Sequence, residues 1–272
     1  MQILFGKTNW ECPELSLDEF AVRAVADGFD ALELYVPNLT VSPNEIAALV
    51  ERHHVGLIAD IVTEGHSINE HLESLERQIQ YALDAGAPLI NAHTGRDIFS
   101  FADNVRLFER SLAISEESGI PIAHETHRSR ALYSAVDTRR YLEELPSLRI
   151  NADFSHWMNV HESDLRDQMD NVDLAIERSI HIHARVGHEQ GPQVNDPRAP
   201  EWVAHVENHS NLWKRIVLAR QVEGMPHFTI TPEFGPHPYM PSKPHTQQPS
   251  SDTWEVNVFM KDHLSKIFSN AE

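Results

Sequence analysis

Short apolar segments of strand length alternate with longer segments of helical spacing, and this alternation occurs eight times in 272 residues. The apolar segments are residues 3–8, 31–36, 56–62, 88–95, 121–127, 148–157, 179–187 and 227–235. Strands that alternate with helices predict βαβ units, whose strands run parallel in one sheet. This regular alternation constrains the fold more strongly than any single motif does.

Eight βα units in a chain near 250 residues are typical of a (β/α)8 TIM barrel. We therefore predict an α/β TIM barrel that forms a single domain over residues 1–272; a doubly wound open sheet is the alternative, but it usually contains fewer strands. Ser42 is predicted to cap a helix, with Pro43 at its first position and Glu45 in its first turn. The Pro-rich segment 235–250 is predicted to lie over one end of the barrel.

The composition argues against several classes of function. The chain has 22 Lys and Arg against 41 Asp and Glu, a net charge of −19, so it lacks the basic surface that nucleic acid or anionic lipid requires. Cys12 is the only cysteine, which excludes an internal disulfide and a thiolate zinc cluster. Neither a transmembrane segment nor a signal peptide is predicted, and we expect a cytoplasmic protein.

Ionisable residues stand at the carboxyl ends of the last four predicted strands, which is where a TIM barrel carries its chemistry. They are Glu125, Asp153, His183 and Glu233. Buried carboxylates and imidazoles are costly unless they are paired or bind a metal. Three carboxylates and one imidazole suit Mn²⁺ or Mg²⁺, with Co²⁺ or Zn²⁺ as further options. We predict one divalent ion here, although a single glutamate at a strand end is often only a helix cap or an ion-pair partner.

Further residues near the same end are candidates for binding substrate. They are His93, His127, His156, Arg185 and Trp10. The histidines and the arginine would position substrate oxygens, and Trp10 would offer an apolar wall to a sugar ring. Trp157 is a second candidate for that wall, and both tryptophans have packing of the barrel end as their alternative interpretation.

Other polar residues are interpreted as structural. His181 lies deeper in its strand and is assigned to the core or to the support of the site. His124 is predicted to pack outward against helices, whereas His205 and His209 are predicted to be solvated. Glu33 lies in an apolar strand and could face either way.

The chain resembles the xylose isomerase-like TIM barrels, which include ketose 3-epimerases, hydroxypyruvate isomerases, inosose dehydratases and endonuclease IV. The resemblance covers nearly the whole chain and is most specific in HET at Glu125, DFSH at Asp153, HIH at His183 and PEFG at Glu233. It implies that these four residues bind one metal, that Glu125 and Glu233 form an acid/base pair, and that His156 contacts substrate oxygens.

Two positions depart from the ketose 3-epimerases. Ala131 stands where they have a second glutamate, and Glu189 stands where they have an arginine. The resemblance therefore implies the metal site more strongly than it implies a particular reaction.

The predicted site suits proton removal next to a carbonyl, because a divalent ion acidifies that C–H and a carboxylate can accept the proton. We therefore predict a metal-dependent isomerase or epimerase that acts on a sugar or keto-polyol through an enediolate. An inosose-dehydratase-like lyase is the first alternative. An endonuclease IV-like nuclease would need more histidine ligands and a cationic face, and a non-catalytic sugar-binding barrel would be expected to lose a ligand. No nucleic acid or membrane partner is expected, and a homo-oligomer is left open.

Overall fold

The computed structural model describes residues 1–269 and shows a closed barrel of eight parallel strands. The strands are β1 Gln2–Thr8, β2 Ala31–Tyr35, β3 Gly56–Val62, β4 Ile90–His93, β5 Ile122–Glu125, β6 Arg149–Ala152, β7 Ser179–His183 and β8 His227–Thr231. Each strand pairs with the next, and β8 pairs with β1 to close the ring. The predicted single-domain TIM barrel is confirmed.

Helices lie between the strands and follow the last one. They are α1 Leu17–Ala26, α2 Pro43–His53, α3 Ile68–Asp84, α4 Phe101–Ser118, α5 Ala135–Glu144, α6 Phe154–His161, α7 Met169–Arg178, α8 Val203–Val222 and α9 Thr253–Ser269. Within residues 1–269, no helix combines the length and the apolar character needed to cross a bilayer.

Serine caps begin several of these helices. Ser42 caps α2 as predicted: its hydroxyl accepts a hydrogen bond from the Glu45 amide, and the Glu45 side chain accepts one from the Ser42 amide in return. Such a capping box satisfies amide groups that the first helical turn leaves without partners. The local sequence therefore sets where the helix begins.

The strand predicted over 148–157 is wrong in its second half. β6 ends at Ala152, and Asp153 caps α6, where its side chain accepts a hydrogen bond from the Ser155 amide at 3.0 Å. Phe154, Trp157 and Met158 are spaced i, i+3, i+4, so that in a helix they share one buried face. These apolar residues suggested a strand, but their spacing is that of a helix.

The inside of the barrel differs between its two ends. Near the amino ends of the strands, a small apolar cluster is formed by Ala31, Ile58, Leu89 and Ala123, with Ile180 packed against it. A second and larger apolar core includes Leu32, Leu34, Phe20 and Phe108. The carboxyl ends instead carry buried polar groups, which form the candidate site.

Candidate metal centre and active site

Four ligand-type residues from the last four strand ends meet at the carboxyl end of the barrel. Glu125 ends β5, Asp153 follows β6, His183 ends β7, and Glu233 lies two residues after β8. All four are buried, and one potential ligand atom of each lies within 4.8 Å of those of the other three. The structure therefore brings together the four residues that the sequence singled out as metal ligands.

Three atoms of this group have no hydrogen-bond partner. Oε1 of Glu125, Oδ2 of Asp153 and Nδ1 of His183 are buried and unpaired within residues 1–269. Nδ1 of His183 lies 2.8 Å from Oε2 of Glu233 and 3.3 Å from Oε2 of Glu125. Buried acceptors are costly without a partner. A divalent cation would satisfy all of them together, so the residues present fit a metal ion.

Arg185 places a positive charge beside this group. Its Nη2 donates to Oε2 of Glu233, and its Nε lies 3.4 Å from Oδ2 of Asp153. Burial raises the pKa of Asp153 to about 7, against the opposing effect of Arg185. Three carboxylates and one guanidinium leave a formal charge of −2, which is the charge that a divalent ion neutralises.

Glu33 on β2 orients His183 from below. Its Oε1 lies 2.8 Å from Nε2 of His183, while its Oε2 lies 3.4 Å from Nε2 of His181 and accepts a hydrogen bond from Thr231. A proton on Nε2 of His183, shared with Glu33, leaves the lone pair on Nδ1 directed at the other three ligands. Burial alone would raise the pKa of Glu33, but electrostatic interaction and hydrogen bonding with the two histidines lower it. The sequence left the direction of Glu33 open, and the structure shows that it points inward.

Asp60 on β3 is a site residue that sequence reasoning missed. Its Oδ1 lies 3.1 Å from Nε2 of His93, which is also 3.0 Å from Oε2 of Glu125. The Asn91 amide donates to both carboxylates, at 3.0 Å to Asp60 and 3.1 Å to Glu125. Burial raises the pKa of Asp60 to about 6. A charged residue in the otherwise apolar strand segment GLIADIV was the signal that could have identified it.

His156 and His127 form part of the wall of the site. Their ring centroids are 4.0 Å apart, and Nη1 of Arg128 lies 2.9 Å from Nδ1 of His156. If Arg128 donates to Nδ1, the proton of His156 is on Nε2, which is buried and has no partner among the described residues. Burial lowers the pKa of His156 far below its usual value and that of His127 to about 3, so both rings are neutral.

Trp10 and Tyr239 close the site from above. Trp10 donates from Nε1 to Oε1 of Glu233 at 2.9 Å, and its ring lies 5.8 Å from that of Tyr239. Tyr239 belongs to the Pro-rich segment, and the Arg185 guanidinium lies 4.4 Å from its ring centre. The prediction that this segment lies over one end of the barrel is confirmed. Trp157 instead is fully buried and donates to the Leu132 carbonyl at 3.0 Å, so its proposed role as a sugar wall is wrong.

Two amide side chains hold the backbone that follows Glu233. Asn257 on α9 accepts from the Phe234 amide at 2.8 Å and donates to the Phe234 carbonyl at 2.9 Å. Gln193 pairs with Gly235 in the same way, at 2.7 and 3.1 Å. We call Asn257 and Gln193 the amide clamp. Because both are distant from Glu233 in the chain, sequence spacing gave no signal for them.

The remaining histidines divide between confirmed and corrected predictions. His124 faces outward, 2.8 Å from the Ser111 hydroxyl and 2.7 Å from the Thr94 hydroxyl, as predicted. The prediction that His209 is solvated is wrong, because it is fully buried and its Nε2 accepts from the Gly187 amide at 3.1 Å. Burial lowers the pKa of His209 to about 3.

A cavity of about 420 Å³ has Glu233, one of the four metal-type ligands, in its lining. Its polar and aromatic lining includes Trp10, Tyr35, Asn38, Asp60, His93, His127, Arg130, Arg185, Glu233 and Tyr239. This volume lies in the usual range for small-molecule sites. Of the predicted substrate-binding residues, His156 is the one outside this lining, and it lies against His127.

The family model described as xylose isomerase-like TIM barrel matches residues 21–201, and the chain belongs to this family. No curated protein sequence matches the chain. Among solved structures, it is similar to a xylose isomerase domain containing protein from Salmonella typhimurium LT2, with 15% identity, 97% coverage of each chain and a TM-score of 0.63.

Two further solved structures carry more specific names. One is the 3-keto-D-glucoside 4-epimerase from E. coli, at 16% identity, 97% coverage of this chain and 100% of the other, and a TM-score of 0.60. The other is a probable 3-DHS dehydratase from Bacillus anthracis, at 15% identity, 94% and 98% coverage, and a TM-score of 0.59. At these identities the likeness shows the fold alone.

Proposed function

We propose that this protein is a divalent-metal-dependent isomerase or epimerase that moves a proton next to the carbonyl of a sugar or keto-polyol. The observation that carries the proposal is the set of unpaired, buried ligand atoms on Glu125, Asp153 and His183 beside Glu233. These four residues would hold Mn²⁺ or Mg²⁺, which supplies the Lewis acidity that makes a C–H next to a carbonyl removable.

Two carboxylates provide the proton transfer. Glu125 ends β5 and Glu233 follows β8, and because these strands are not neighbours in the barrel, the two carboxylates reach the site from different sides. One removes the substrate proton to give an enediolate, and the other returns it. Return to the same carbon inverts that centre, and return to the adjacent carbon moves the carbonyl.

Neutral and cationic donors would bind the substrate oxygens. Nε2 of His156 and Nη1 of Arg185 are buried without partners in the described part of the chain, so each has a hydrogen bond to offer. Trp10 and Tyr239 cover the site and limit the access of water to an enediolate. His93 and His127 complete the wall against which the substrate lies.

A lyase of the inosose dehydratase type would use the same first step and then expel a β-hydroxyl. A probable dehydratase and an epimerase are both among the solved structures similar to this fold, and neither is close to this chain in sequence. A nuclease is disfavoured by the net charge of −19.

The test is solvent exchange. The Mn²⁺-loaded protein is incubated in D₂O with a panel of keto-sugars, inososes and their acidic or phosphorylated counterparts, and deuterium at the carbon next to the carbonyl is measured by NMR. We expect exchange with at least one substrate, and none after the metal is removed by chelation. Cleavage of abasic DNA without exchange at any carbon would contradict the proposal in favour of a nuclease.

A further inference from the structure

Part of the cavity is lined by hydrogen-bond donors that lack acceptors. Arg130 is tethered by Nη1 to the Thr63 carbonyl at 3.0 Å, but its Nε is buried and has no partner in residues 1–269. The half-buried Tyr35 hydroxyl and the exposed Asn38 side chain line the same cavity, and neither makes a hydrogen bond to residues 1–269. These three residues form what we call the donor rim.

The Arg130 guanidinium has no carboxylate in contact. No Asp or Glu oxygen of residues 1–269 lies within 4.0 Å of it, and the negative charges of Glu125 and Glu64 act only from greater distance. Burial and the neighbouring Arg96 lower its pKa from the usual value. A partly buried guanidinium without a counterion is costly, so this position is suited to an anion that comes from outside the chain.

The charged groups near Arg130 have ion-pair partners of their own. Oδ1 of Asp60 lies 3.1 Å from Nε2 of His93, and Arg185 contacts Glu233 and Asp153. Of these groups, Arg130 is the one without an ion-pair partner among the described residues.

Arg128 is a second guanidinium beside the site. It contacts His156 and stacks 4.7 Å from the Tyr239 ring centre, and among the described residues it too has no carboxylate within ion-pair distance. A neutral sugar would leave both guanidinium groups without a counterion.

We propose that the substrate carries an oxyanion, either a carboxylate or a phosphate, and that the donor rim binds it while the reacting carbonyl lies at the metal-type ligands. The planar guanidinium of Arg130 can donate two parallel hydrogen bonds to such a group. The Tyr35 hydroxyl and the Asn38 amide donate to its remaining oxygens. The inference rests on the proposed function for the identity of the reacting end, but the anion site itself can be measured without any reaction.

The experiment is calorimetric titration of the Mg²⁺-loaded protein with glycolate, with inorganic phosphate and with neutral ethylene glycol. We expect saturable binding of glycolate or phosphate and none of ethylene glycol. Arg130→Gln should weaken binding of the anion at least about tenfold and leave Mg²⁺ affinity unchanged. Arg215→Gln, an exposed residue of α8 paired with Asp173, is the matched control and should bind as the wild type does.

Two milder variants protect the test against a folding defect in Arg130→Gln. Arg130→Lys keeps the positive charge but loses the two parallel hydrogen-bond donors of the guanidinium. Its affinity for phosphate should fall less than its affinity for glycolate. Tyr35→Phe removes a single hydroxyl and should weaken the preferred anion about threefold. The anion that binds more tightly to the wild type identifies the source of the oxyanion as an acid or as a phosphate ester.

The outcomes separate this inference from the proposed function. Anion binding that Arg130→Gln leaves unchanged would place the anion on the metal and overturn the inference, as would the absence of anion binding. Deuterium exchange with neutral sugars alongside either result would leave the proposed function standing. Binding that depends on Arg130, with no exchange for any substrate, would support the anion site and contradict the proposed function.

Discussion

The two ends of the barrel differ although the same strands build both. On β3, Ile58 packs in the apolar cluster near the amino end, and Asp60, the next residue on the same side of the strand, lies in the site. On β5, Ala123 and Glu125 show the same change over two residues. The amino end encloses an apolar cavity of about 210 Å³, whereas the cavity at the carboxyl end is lined by charges.

This contrast shows how the fold separates stability from chemistry. Apolar burial at the amino end stabilises the folded chain in proportion to the area removed from water. At the carboxyl end, buried carboxylates and unpaired ligand atoms cost free energy that a bound ion would offset. A TIM barrel can carry such a site because its other end and its outer helices hold the ring closed.

The largest expected effect is on activity, at the carboxyl end. Glu233→Gln keeps the size of the side chain, but the amide cannot exchange a proton, and its NH2 group cannot accept a hydrogen bond from Trp10 or Arg185 as the carboxylate oxygens do. Deuterium exchange with the substrate identified in the panel should therefore fall at least about a hundredfold, within the usual range for acid/base catalysis. The variant should still unfold in one cooperative urea transition, with a lower free energy of unfolding because Arg185 loses the charge of its buried partner.

The matched control is Glu117→Gln, which makes the same change at an exposed position of α4. It should exchange deuterium at the wild-type rate. A loss of less than tenfold in Glu233→Gln would show that Glu233 is not the essential acid/base group.

The second prediction concerns the amino end, where a substitution should lower stability and leave activity unchanged. Ile58→Ala removes a buried side chain from the apolar cluster, and the free energy of unfolding should fall by about 2–5 kcal/mol because a cavity remains. Mn²⁺ affinity and the exchange rate of the folded protein should be retained. Loss of metal binding under conditions where the variant is fully folded would show that packing at the amino end and metal binding at the carboxyl end are coupled.

The smallest effect concerns a buried imidazole outside the site. His209 has its pKa lowered by burial from 6.5 to about 3, so below pH 6.5 the unfolded chain takes up a proton that the native state does not. The resulting stability is present above pH 6.5 and is lost as the pH falls towards 3, with a slope of at most about 1.4 kcal/mol per pH unit.

His209→Gln removes this contribution. The difference in unfolding free energy between the wild type and the variant should therefore shrink as the pH falls from 7 to 4, measured by urea denaturation at each pH. Mn²⁺ affinity at pH 7 should be unchanged. A parallel pH profile for both proteins would show that His209 is protonated in the native state.

The fold could be predicted from the sequence because the alternation of strand-like and helix-like segments is visible without knowledge of tertiary contacts. Alternating strands and helices predicted the barrel, and the position of Glu125 and His183 at strand ends predicted that they would meet. The number of residues between them does not give their distance in space, but parallel strands of a closed barrel all have their carboxyl ends on the same side. Topology therefore supplied the missing geometry.

What the sequence did not show depends on packing between distant elements. The burial of His209 follows from the loop after β7 lying against α8, and no local pattern marks that contact. The inward direction of Glu33 depends on which side of β2 faces the axis. Asp153 lies close to the other ligand-type residues, as its strand-end position predicted, although the residues after it were assigned to a strand rather than to a helix.

The amide clamp also bears on the order in which the molecule is made. Glu233 follows the last strand, and the backbone beside it is held by Asn257, which is synthesised 24 residues later. A nascent chain that already contains every ligand-type residue still lacks the helix that holds the last of them in place. One edge of β1 likewise remains without its partner strand until β8 has been synthesised. A chain that ends before α9 would therefore contain every ligand-type residue but lack Asn257, which holds the backbone beside Glu233.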